Sequence, residues 1–112
     1  MTEKEDILEK LEAVIKTRKY GDVEKSYVAK LFAKGRKKIT QKVGEEAVEL
    51  CIAASHHDRD EAILESADLL FHMLVLWSDM DIKLKDVLKV LEEREGLSGI
   101  EEKKSRGNID GL

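Results

Sequence analysis

The chain has 112 residues, 39% of them charged, 42% hydrophobic and 4% aromatic, with a formal net charge of −4, one cysteine and no proline. That length fits one domain and excludes several; Cys51 alone cannot form an internal disulfide, no apolar run nears the roughly 18 residues that cross a bilayer, and no hydrophobic leader precedes the first charged segment, so a cytoplasmic protein without membrane contact is expected. The acidic balance argues against nucleic-acid binding, yet it conceals segregation: seven basic residues and no acidic one lie between Lys25 and Gly44, and Glu45, Glu46 and Glu49 follow at once.

Few aromatics, no proline and abundant Leu, Glu, Lys and Ala favour helices, and the apolar spacing agrees. Thr2 and Glu5 form a capping-box pattern ahead of a first helix with Ile7, Leu8, Leu11, Val14 and Ile15 on one face, ending near Arg18 before Gly21. Ser26 is the expected N-cap of a short helix over Tyr27 to Lys34, which Gly35 ends in a left-handed conformation. A long third helix, about Arg36 to Ser55, carries a core stripe of Ile39, Val43, Ala47, Leu50 and Ala54. After a polar break at His56 to Asp60, a fourth, about Asp60 to Ser78, carries Ile63, Ala67, Leu70, Leu74 and Trp77. The fifth, about Leu84 to Arg94, carries Leu84, Val87, Leu88 and Leu91 and stops at Gly96. Residues 97–112 lack apolar periodicity and read as a mobile tail with Lys103, Lys104 and Arg106 in its middle. The pattern predicts an all-α fold of about five helices in a single domain spanning residues 1–112, with helices three and four as a central antiparallel hairpin.

On that hairpin Glu46 and Glu49 are three apart on one helix, and Glu65 and Asp68 three apart on the next, so each pair lies on one helix face. With the turn near His57, the two pairs are equidistant from it and share one layer. Packed helices approach to about 8 to 10 Å, close enough for four carboxylates to converge. Such a group must either hold protons or hold a cation, and an all-oxygen set favours a hard ion such as Mg²⁺, with Mn²⁺ as the alternative. Glu45 adjoins the layer as a further ligand or a water-orienting base. Lys42 and His72 fall level with each other one turn away; Lys42 suits a phosphate or a counter-charge, while His72, among Leu70, Phe71, Met73 and Leu74, is expected to be a core histidine bonded to a neighbouring carbonyl. Arg36, Lys37 and Lys38 stand where the helix dipole prefers acids, a placement that a bound phosphate would reverse. Gly44, inside the helix beside the acids, points to close approach by a ligand or another backbone. With no P-loop and no paired Ser or Cys nucleophile, these cations and acids suit a phosphoryl-transfer or hydrolysis enzyme, with a metal-activated water as the best available nucleophile.

The run Lys42-Val43-Gly44-Glu45-Glu46-Ala47-Val48-Glu49 with Glu65-Ser66-Ala67-Asp68 resembles the EExxE…ExxD signature of the all-α, MazG-like nucleotide pyrophosphohydrolases. The segment Ser26 to Gly35, the stretch Asp68-Leu69-Leu70-Phe71-His72 and the ending Arg94 to Arg106 narrow the resemblance to the phosphoribosyl-ATP pyrophosphohydrolases of histidine biosynthesis. The resemblance implies Mg²⁺-dependent hydrolysis of a nucleotide, 1-(5-phosphoribosyl)-ATP, in a cytoplasmic homodimer. It also implies that Glu46, Glu49, Glu65 and Asp68 hold metal, that Glu45 assists them, and that Lys38, Lys42, Lys103 and Arg106 hold phosphates. Lys104 stands where a small residue is usual in that family, and Gly107 to Leu112 extends past the motif.

Two other readings fit the same acids: a housecleaning (d)NTP pyrophosphatase, which has no need of the C-terminal ending, and a non-enzymatic helical dimer whose acidic layer holds a structural ion. Dimerisation has its own support, because the fourth helix is apolar on more than one side from Leu69 to Trp77 and one hairpin cannot cover it. Two hairpins pairing into a four-helix-bundle-like homodimer would bury that surface.

Overall fold

The computed structural model describes residues 3–95, with side chains from residue 7 onward. Five helices follow one another: α1 (Glu3–Arg18), α2 (Tyr27–Lys34), α3 (Arg36–Ser55), α4 (Arg59–Asp79) and α5 (Leu84–Arg94). Thr2 and the Glu5 side chain of the expected cap, the stop at Gly96 and the segment 97–112 lie outside what is described.

Local chemistry sets each boundary. The Ser26 hydroxyl accepts from the Ala29 N–H at 3.1 Å and starts α2. Gly35 then serves two helices: its N–H donates to the Leu31 and Phe32 carbonyls, and its own carbonyl accepts from Lys38 and Ile39. Its φ of 93° is the positive value expected, but its ψ of 177° is extended rather than left-handed helical, because the chain leaves one helix and enters the next with no intervening loop. Asp58 caps α4 by accepting from the Glu61 N–H at 3.1 Å, which begins that helix at Arg59, one residue ahead of the expected Asp60. The start of α5 has a local cap, the Asp86 carboxylate accepting from the Lys83 N–H at 2.9 Å, and adds a distant one, the Glu12 carboxylate of α1 on the Leu84 N–H at 2.7 Å. Arg36, at the dipole end where a cation is disfavoured, bonds the Asp79 carboxylate and, at 3.2 Å, its carbonyl. A protein carboxylate thus answers the charge for which a phosphate was expected.

α3 and α4 form the expected antiparallel hairpin, and α1, α2 and α5 pack on its open end. There Ile15, Val28, Leu31, Ile39, Leu74, Val75 and Leu84 make the buried core, with Phe32, Phe71 and Trp77 packed against it. The apolar stripes are only partly used. Of the α3 stripe only Ile39 is buried, with Ala53 buried in place of Ala54; of the α4 stripe only Leu74 is. Near the turn no other described helix covers the hairpin, and Val48, Ile52, Ile63 and Leu64 are all more than half exposed. Leu88 and Leu91 of α5 are exposed as well, so that stripe is buried only at Leu84.

Candidate active site

The hairpin brings Glu46 and Glu49 of α3 against Glu65 of α4, with carboxylate oxygens within 4.8 Å of one another. Glu46 is buried, and one oxygen each of Glu46 and Glu65 is shut off from solvent without a hydrogen-bond partner. The neighbouring carboxylate of Glu49 is the first cause that pushes the Glu65 carboxyl up to about 8; desolvation and the carboxylates of Glu46 and Glu61 add to it. Without a cation the group therefore keeps a proton at neutral pH, the first of the two outcomes expected of crowded carboxylates. The donors fit a divalent ion all the same: oxygen ligands from two helices, two of them unsatisfied, with open space alongside for water or phosphate.

That space is a cleft of about 400 Å³ running toward the turn, lined by Glu49, His56, Asp58, Glu61 and Glu65. Glu61 was not among the expected site residues. Its signal was present in the spacing, since it lies one turn before Glu65 on the same face of α4, but the i, i+3 pairing of Glu65 with Asp68 drew attention the other way.

Asp68 does not join the three-carboxylate group. It is exposed one turn further from the hairpin turn, and its charge falls on Tyr27 of α2. Its backbone carbonyl accepts from His72 Nδ1 at 2.7 Å, which makes Nδ1 the protonated nitrogen; His72 Nε2 is then the acceptor for the Tyr27 hydroxyl at 2.8 Å. His72 is buried and bonded to a neighbouring carbonyl, as its apolar surroundings predicted. Tyr27 is a second residue that spacing did not reveal, because only the packing of α2 on the hairpin brings it there. Burial raises its phenol pKa, Lys42 opposes that, and Glu46, Asp68 and Glu45 reinforce it.

Lys42 lies 3.3 Å from Glu45 and 3.7 Å from Glu46. Its hydrogen bond to Glu45 holds its ammonium above the usual lysine range. Glu45 also accepts from Gln41 at 2.8 Å, and these two bonds, Gln41 first, hold its carboxyl below the usual range, with Lys38 adding to the effect. Glu45 is thus an ionised, exposed carboxylate beside the cluster, not a member of it. Lys103 and Arg106 lie outside the described residues. Gly44 is exposed, and a methyl group placed on it would meet nothing within 4 Å among the described residues, so none of their backbone makes the close approach expected there.

Comparison with known proteins agrees with this chemistry. The profile of the family described as phosphoribosyl-ATP pyrophosphohydrolase matches residues 8–95. A phosphoribosyl-ATP pyrophosphatase of Paramagnetospirillum magneticum is 54% identical over 106 residues, covering 95% of this chain and 97% of the relative. One from Novosphingobium aromaticivorans is 55% identical, covering 92% and 96%, and one from Cereibacter sphaeroides is 50% identical, covering 90% and 98%.

Proposed function

The chain belongs to the phosphoribosyl-ATP pyrophosphohydrolase family, and on that premise we propose that it hydrolyses 1-(5-phosphoribosyl)-ATP to 1-(5-phosphoribosyl)-AMP and pyrophosphate, a step of histidine biosynthesis, as a cytoplasmic homodimer. The observation that carries this reading is the group Glu46, Glu49 and Glu65, with two buried, unpartnered oxygens, beside the cation Lys42. Those three side chains would hold a Mg²⁺ ion, with Mn²⁺ as a substitute; Asp68, outside the group one turn further along α4, would join them only once the ion is bound. Once bound, the ion would supply an acidified water at neutral pH and offset charge on the phosphates. Glu45, kept ionised by Gln41 and Lys42, orients the attacking water or takes its proton. Lys42 and Lys38 hold phosphate oxygens, and Lys103 and Arg106 are assigned to the same task. The attack falls on phosphorus at the α,β linkage, so that the P–O bond to the leaving pyrophosphate breaks.

The test is pyrophosphate release from phosphoribosyl-ATP against a panel of dNTPs, with Mg²⁺ or Mn²⁺. Preferred turnover of phosphoribosyl-ATP is expected; preference for a dNTP would assign the chain to housecleaning, and no turnover with either ion would refute the enzymatic reading. The paired change Glu49→Gln with Asp68→Asn should abolish turnover while leaving helicity intact, and retained activity would remove the metal assignment.

A further inference from the structure

A nucleotide has a flat, apolar ring system as well as charged phosphates, and the carboxylates and lysines described above serve only the latter. The chain has five aromatic side chains in all. Phe32, Phe71 and Trp77 pack against the core. Tyr20 is 91% exposed in the α1–α2 connection, next to Lys19. Tyr27 combines exposure with a fixed place among the charged groups: its surface is 49% accessible, and Lys42, Glu46, Asp68 and Glu45 all act on it. Its hydroxyl is tied to His72 at 2.8 Å, and His72 is tied to the Asp68 carbonyl at 2.7 Å. The two rings stand 85° apart with centroids 5.7 Å from each other, and His72 braces the phenol through its hydroxyl while about half of the Tyr27 surface stays exposed. An aromatic ring held in this way has already lost the rotational freedom that binding would otherwise cost it.

We propose that Tyr27 is a substrate-contact residue whose ring packs on the base of the nucleotide, and that His72 is the positioning residue that holds it there. This rests on the proposed function, because it presumes a nucleotide substrate. Phosphates and their counter-ions then lie toward Lys42 and the carboxylates, and the base toward α2. The division makes Tyr27 responsible for telling a nucleotide from bare pyrophosphate.

The test compares a ligand that carries the base with one that does not. In Tyr27→Ala, the KM for phosphoribosyl-ATP and the Kd for phosphoribosyl-AMP should each rise about tenfold, the scale of one base–aromatic stack, with kcat and the Kd for pyrophosphate within about twofold of wild type. Tyr27→Trp, which keeps a stacking surface but loses the phenol, should restore most of the affinity. His72→Gln should raise KM by less than Tyr27→Ala does. Equal weakening of phosphoribosyl-AMP and pyrophosphate, or a Trp variant as weak as Ala, would show a merely structural role and overturn the proposal. Unchanged affinity in Tyr27→Ala would overturn it too, with the pyrophosphohydrolase reading left standing. Failure of the wild type to turn over or bind any nucleotide would instead bring down that reading.

Discussion

Glu65 lies under two competing demands: against Glu49 and Glu46 it keeps a proton, and in the proposed active state it gives that proton up to hold a cation. Its folded value of about 8 lies above its ordinary 4.5, so the folded, metal-free protein binds this proton more tightly than the unfolded chain does. The contribution to stability is therefore fully present below pH 4.5, falls as pH rises through the window up to 8, and is flat beyond it. Thermal unfolding in chelator across pH 5 to 8 should show that decline, and Glu65→Gln should flatten it. Cation binding below pH 8 should release about one proton, read by calorimetry in buffers of different ionisation enthalpy, and the release should fade above that pH. At this scale the sequence showed which residues are acidic and where they stand along each helix. It did not show that Glu61 lines one cleft with Glu65 while Asp68 stays outside the carboxylate group, because helix rotation and packing decide which carboxylates meet. Tyr27 and His72 are 45 residues apart, so only the tertiary contact reveals their pairing.

The helices themselves were legible almost to the residue, because their boundaries rest on local chemistry: Ser26 capping α2, Gly35 between α2 and α3, and Asp58 before α4. Gly44 is the exception inside a helix. A methyl group there meets open space within the described chain, so Gly44→Ala should raise the stability of the isolated protein by about 1 kcal/mol through helix propensity. The same substitution should lower turnover if substrate, or a second copy, comes close to α3 at that turn. Thermal melts and steady-state kinetics on one preparation separate the two effects, and a variant that is both more stable and fully active would mean that nothing approaches Gly44. The apolar stripes were the less legible part. Periodicity identifies a face that avoids water, but it does not say how far along the helix that face is covered, and α1, α2 and α5 cover only the open end of the hairpin.

Across the whole molecule, the uncovered remainder is coherent. Val48, Ile52, Ile63 and Leu64 lie near the hairpin turn, more than half exposed, and an open hollow of about 530 Å³ lies along α3 between Ala47 and His56. This surface supports the proposed homodimer, in which two hairpins bury each other's turn ends. Sedimentation at micromolar concentration should give a dimer or larger, and Val48→Glu with Ile52→Lys should shift it toward monomer; a wild-type chain that stays monomeric would contradict the pairing. The sequence by itself determined the helices, their order and the acidic residues of the hairpin, since propensity, capping and charge act between near neighbours. Tertiary structure alone decided that three of the acids crowd into one group where Glu65 is driven to hold a proton, that Arg36 is answered by Asp79, and that Tyr27 stands braced beside the acids. Those outcomes depend on how helices rotate and pack over distances that no local pattern encodes.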